Sequence, residues 1–110
     1  MFQLQTRKQF DTARPLVLQF NDADGTVDLT GATVTFRMVD KRTGTVKIAA
    51  GSMTPLNQTT HTGQAQYAWQ TADVNLAATY KCEAKAVFPD TTIAHFPSDE
   101  YAEITFYPAL

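Results

Sequence analysis

Apolar and polar residues alternate with a period of two through most of this chain, and that pattern leaves few folds open. Ala32, Val34, Phe36 and Met38 fall on one face of an extended segment, with Thr33, Thr35 and Arg37 on the other. Val46, Ile48 and Ala50 alternate with Lys47 and Ala49, and Ala65, Tyr67 and Trp69 alternate with Gln64, Gln66 and Ala68. The longest run sets Tyr80, Cys82, Ala84, Ala86 and Phe88 against Lys81, Glu83, Lys85 and Val87. Near the C-terminus Ala102, Ile104 and Phe106 oppose Tyr101, Glu103, Thr105 and Tyr107. Successive side chains of a strand point to opposite faces, whereas a helix would repeat every 3.6 residues. These runs therefore predict half-buried strands. Threonine supports them, because its β-branched side chain suits a pleated surface.

Turn chemistry separates the runs. Asp40-Lys41-Arg42-Thr43-Gly44 predicts a hairpin, with Gly44 supplying the positive φ. Asn21–Gly25, Pro89-Asp90 and Pro97-Ser98-Asp99 predict further turns, and Ser52–Thr62 reads as a loop. Thr71–Ala78 has room for one helical turn capped by Thr71 or Asp73. The spacing predicts strands over 2–7, 14–20, 32–39, 45–50, 64–69, 79–88 and 100–107, with a short eighth over 92–96. Seven to eight short strands in one chain of 110 residues predict an all-β, immunoglobulin-like antiparallel β-sandwich occupying 1–110 as a single domain. Its pooled core is expected to hold Leu16, Leu18, Val34, Phe36, Tyr67, Trp69, Tyr80, Cys82 and Ile104.

Composition narrows the functions. A net charge of -2 with scattered basic residues argues against nucleic-acid binding by counterion release. No segment approaches the ~20 apolar residues that span a bilayer. The N-terminal Met1–Lys8 lacks the apolar core of a signal peptide, so synthesis in a cytoplasm with Met1 as the start is expected. The lone Cys82 agrees with that compartment.

Few residues of this chain could carry chemistry. Tyr80-Lys81-Cys82 has the spacing of a tyrosine corner, but one cysteine cannot form an inter-sheet disulfide. Cys82 falls on the apolar phase of its strand and reads as a buried thiol rather than a nucleophile. His61 and His95 have no partner at metal-ligand spacing. Asp22-Ala23-Asp24-Gly25 resembles part of a calcium loop, yet that register puts Phe20 and Gly31 at the first and twelfth ligand positions. No catalytic site, metal site or cofactor is expected.

The order of signals from Asp24-Gly25 to Tyr107 resembles the immunoglobulin-like N-terminal domain of phage baseplate upper proteins. Three places carry the resemblance: Leu29-Thr30-Gly31-Ala32 opening the first long strand, Gly63 before the strand ending in Trp69, and Tyr80 starting the strand that leads to Asp90 and Pro97. The resemblance implies a non-enzymatic virion component of a phage tail or baseplate, whose partners are other tail or baseplate proteins or further copies of itself. The alternative is a carbohydrate-binding module using Phe10, Tyr101 and Tyr107 against host-surface sugars. If Ile104 and Phe106 fill the core, Tyr101 and Tyr107 stand on the outer face, and Ile93 and His95 extend it. These four are the expected protein interface.

Overall fold

The computed structural model describes residues 2–98 and 100–110; Met1 and Asp99, the last residue of the predicted Pro97–Asp99 turn, lie outside the described residues. The alternating segments become β1 (Phe2–Lys8), β2 (Leu16–Gln19), β3 (Asn21–Asp22), β4 (Gly25–Thr26) and β5 (Thr33–Asp40). They continue as β6 (Val46–Pro55), β7 (Gln64–Tyr67), β8 (Thr79–Val87), β9 (Ile93–Phe96) and β10 (Ala102–Tyr107). A short 3-10 turn covers Thr71–Asp73. Strand order is β1-β10-β8-β5-β6-β7-β2, with β9 also on β8 and β3 paired only with β4. β6 passes between the layers, pairing with β5 as far as Met53 and with β7 at Thr54 and Pro55. The chain is an all-β, immunoglobulin-like sandwich.

All nine pooled core residues, from Leu16 to Ile104, are buried between the layers. Trp69 lies edge-on to Phe36, Tyr67 and Phe106, with centroids 6.0, 5.4 and 5.6 Å away. Tyr80 extends the cluster through Phe106 at 5.7 Å. Edge-to-face contacts set the positive rim of one ring against the negative face of the next. Tyr80 also donates from its hydroxyl to the Leu76 carbonyl at 3.0 Å, which is the tyrosine-corner bond its position suggested. Tyr67 donates to Asp73 at 2.6 Å, and the same carboxylate oxygen accepts from the Gln70 amide at 2.9 Å. That pairing lets a carboxylate remain buried without an uncompensated charge.

Several boundaries differ from the sequence reading. β1 runs parallel to β10, so one pairing of the sandwich is not antiparallel. β6 extends four residues into the expected loop at Ser52, because Met53 is drawn into the core although its neighbours do not alternate. Two register shifts between β5 and β6 break the expected phase: Ile48 is buried, but Val46 is 44% exposed and Ala50 faces solvent. Each bulge inserts one extra residue and turns the following side chains to the other face. Trp69 is buried although its strand ends at Tyr67.

Two loops at one end of the sandwich use the same device. Asp28 accepts from the Thr30 amide and hydroxyl at 2.9 and 2.6 Å, and Asp90 accepts from those of Thr92 at 3.1 and 2.6 Å. The hydroxyl bond first, and the amide bond second, hold both carboxyls below the usual carboxylate range. A depressed folded pKa means stability that is present above the unfolded value, about 3.9, and lost as pH falls through the folded value. Urea midpoints should therefore fall between about pH 4 and pH 2, and Thr30→Ala with Thr92→Ala should shrink that drop. Carbon-detected titrations in which Asp28 and Asp90 titrate at or above the ordinary aspartate value, about 3.9, would contradict this account.

Candidate functional site

Opposite those loops, the chain gathers 9–15, 40–45, 70–78 and the end of β10. The Lys41 amide donates to the Thr79 carbonyl at 3.0 Å, joining the β5–β6 hairpin to the start of β8. Gln9 donates from its amide to Tyr107 at 2.8 Å, and Phe10 donates to Val74 at 2.8 Å. The Gln9 side chain reaches the Asn75 carbonyl at 2.7 Å. Arg7 anchors the same corner from below, with its guanidinium 5.1 Å from the Trp69 ring and donating to the Asp11 carbonyl at 3.0 Å and to that of Arg14. Burial pushes the Arg7 guanidinium below its ordinary value, and the Asp11 carboxylate 3.7 Å away opposes that shift.

This corner presents Phe10, Leu76 and Tyr107 to solvent, at 57%, 52% and 52% exposure. Phe10 does so with φ at 70°, in the left-handed region that costs a non-glycine residue of order 1–3 kcal/mol. A ring held in solvent by a pinned, strained backbone is poorly explained by folding alone. Phe10→Gly should therefore leave stability unchanged or raise it by about 1 kcal/mol, checked by urea denaturation. A loss above about 1 kcal/mol would mean that the ring packs for the fold.

Charge surrounds the apolar patch. Lys8, Arg14, Lys41 and Arg42 are exposed there. Asp40 caps the hairpin by accepting from the Arg42 and Thr43 amides at 2.9 and 3.2 Å. Lys41 lies 2.5 Å from the buried Glu103 carboxylate, whose bond holds the ammonium above its ordinary pKa. Glu103 keeps the outward phase expected of it but is covered. A cleft of about 580 Å³ lies between Lys41 and Arg42 on one wall and Leu76 and Ala77 on the other.

The four expected interface residues are exposed but do not form one patch. Tyr107 joins the corner just described. Ile93 and His95 lie on β9 opposite Val87 and Lys85, whereas Thr105 pairs with Thr79. About eight residues of β8, roughly 26 Å, separate the two groups. Tyr101 lies between them, with the Lys81 ammonium 5.1 Å from its ring. Leu76 had no signal in the sequence, and Phe10 appeared there only as a sugar-facing aromatic.

The other singled-out residues serve the fold. Cys82 is buried, and desolvation, aided by Glu103 and Glu83, pushes its thiol up to about 12. It stays protonated at neutral pH and is a poor nucleophile. His61 bonds the Thr60 hydroxyl at 2.9 Å within its own loop. Asp22 accepts from the Asp24 amide at 2.8 Å, which closes its turn. Among the described residues, no three His, Cys, Asp or Glu side chains gather as metal ligands.

No protein-family model matches the chain, and a search of curated proteins gave no match. Among solved structures, the crystal structure of CopC from Methylosinus trichosporium OB3b is similar, with a TM-score of 0.55 and 13% identity. The match covers 96% of this chain and 85% of that one. At that identity the likeness shows the shared sandwich fold alone.

Proposed function

We propose that this chain is a non-enzymatic contact module of a phage tail or baseplate, working in the virion through protein–protein interfaces and without a cofactor. The observation that carries the contact role is Phe10, an aromatic ring held in solvent by a strained and multiply pinned corner. Exposed aromatic side chains on a rigid backbone bind with little ordering entropy, and an apolar centre ringed by cations has the layout of an interface core and rim. The virion setting rests on the resemblance carried by Leu29–Ala32, Gly63 and Tyr80. The carbohydrate reading draws less support: Tyr101 lies about six residues along the chain, roughly 20 Å of extended strand, from Tyr107, so Phe10, Tyr101 and Tyr107 do not form one platform. The test is mass spectrometry of density-banded phage particles from cells that produce the chain. Recovery in constant stoichiometry with tail proteins is expected, and absence from banded particles would overturn the virion role.

A further inference from the structure

The two ends of the sandwich carry opposite charge. One end is built from 20–33, 56–63 and 88–92. The Leu29 amide donates to Gln58 at 2.9 Å, and a Cβ on Gly31 would lie 3.3 Å from Pro89, so these segments adjoin. They contain Asp22, Asp24, Asp28 and Asp90, all exposed, and no Lys or Arg. The Asn21–Thr26 hairpin carries Asp22 and Asp24 at its exposed tip.

The opposite end holds Arg7, Lys8, Arg14, Lys41, Arg42 and Lys47 against Asp11, Asp40, Asp73 and Glu103. Each of those carboxylates is engaged: Asp11 with Arg7, Asp40 with hairpin amides, Asp73 with Tyr67, and Glu103 with Lys41. Six cations outnumber the four carboxylates; Asp11 and Glu103 are ion-paired and Asp40 and Asp73 are buried, so the exposed charge around Phe10 and Leu76 comes mainly from Lys8, Arg14 and Arg42. The nine residues of β8 span about 30 Å, longer than either short dimension of the 44 × 25 × 20 Å molecule, so the charged ends lie along the long axis.

We infer that a second copy of this chain docks its acidic Asn21–Thr26 hairpin end into the Lys41–Arg42–Leu76 cleft, so that copies associate head to tail. The inference deepens the contact-module reading and rests on it. A 580 Å³ cleft in which Lys41 and Arg42 outnumber the buried, amide-bonded Asp40, with apolar Leu76 and Ala77 opposite, accommodates the small, acidic Asp22-Ala23-Asp24-Gly25 tip. The two surfaces are different patches of one chain, so the contact is heterologous and continues into a ring or a filament instead of closing as a two-fold dimer. The 25 × 20 Å cross-section limits the contact to roughly 400 Å² per partner, which places it among weak interfaces that need high local concentration. A virion assembly supplies that concentration.

Sedimentation velocity of the full chain at concentrations up to about 1 mM tests this, since weak contacts populate only there. In about 20 mM salt the mass should rise from the 12.2 kDa monomer past the dimer, and return to monomer near about 500 mM, where the Debye length is ~4 Å. Asp24→Lys and Arg42→Glu, both exposed, should each raise the concentration needed for growth by about tenfold. The double variant should restore growth, because each end then meets the reversed charge of the next copy. Melting curves will establish that each variant is folded. A chain that stays monomeric, stops at a dimer, or grows regardless of salt and charge would overturn the inference. That failure is separate from failure of the virion role, which the banded particles decide.

Discussion

Replacing Trp69 by Ala should destabilise the fold by about 3–5 kcal/mol, among the largest losses available to a single substitution in this chain. The indole touches three other aromatic rings and lies beneath the Arg7 guanidinium. Removing it empties a volume that Phe36, Tyr67 and Phe106 cannot fill together, since each is held by its own strand. Arg7 then loses the ring it stacks on, and with it part of the reason for placing a cation at 8% exposure. The Asp11 and Arg14 carbonyls that Arg7 holds belong to the corner presenting Phe10, so the damage should reach the proposed contact surface. Trp69→Phe separates the ring from its polar atom. The indole Nε1 is buried with no hydrogen-bond partner among the described residues. Deleting it removes a desolvation penalty of about 1–3 kcal/mol that partly offsets the smaller ring. The Phe variant should therefore lose less than about 2 kcal/mol in urea unfolding. Equal losses for the two variants, or less than about 1 kcal/mol for Ala, would show that the aromatic cluster is not the centre of the core.

The parts of this fold legible in the sequence are those in which one strand keeps one phase. β5, β8 and the inward residues of β10 face as their alternation demands, and the pairing of β8 with both β5 and β10 runs without a shift. β6 is legible only in part. Its two bulges reverse the phase around Ile48, and Met53 enters the core where Ser52–Pro55 shows no alternation. Gly51 flanks the first shift, but a single glycine in a strand run does not say where the extra residue is inserted. The parallel seating of β1 on β10 was also hidden, since alternation fixes a strand's faces and not its neighbours. The same limit explains the site. Phe10, Leu76 and Tyr107 are distant in sequence, and backbone bonds from Gln9 and Phe10 bring their segments together. Periodicity identifies what points inward; it carries no information about which loops share an end. Charge was equally concealed. A net charge of -2 looks nearly neutral until the strand directions place four carboxylates at one end and the cations around Phe10 at the other.

Gly63→Ala should cost about 2–4 kcal/mol, and Gly44→Ala, with nearly the same backbone angle, only about 1 kcal/mol. Gly63 has φ 82° and Gly44 has φ 76°, so the left-handed penalty is common to both. Their surroundings differ. Nothing lies within 4 Å of a Cβ built on Gly44. A Cβ on Gly63 would overlap the Gln19 amide nitrogen and sit 2.6 Å from Thr26 Cγ2 and 2.9 Å from the Phe20 carbonyl oxygen. Gln19 and Thr26 can swing aside, although Gln19 then gives up its 2.9 Å bond to the Thr62 carbonyl. The Phe20 carbonyl is backbone and has less freedom, because the Phe20 amide donates to the Gly63 carbonyl at 2.7 Å. Any retreat stretches the link between the end of β2 and the start of β7. The Val27 amide also donates to Phe20 O at 3.0 Å, so the Asn21–Thr26 hairpin is disturbed with it. The difference between the two alanine variants therefore isolates the close approach from the backbone angle. Urea midpoints for both, with amide exchange at Asn21–Thr26, are the measurement. Equal losses would mean that the loop shifts freely around Gly63, and the rigid hairpin needed for docking would lose its support.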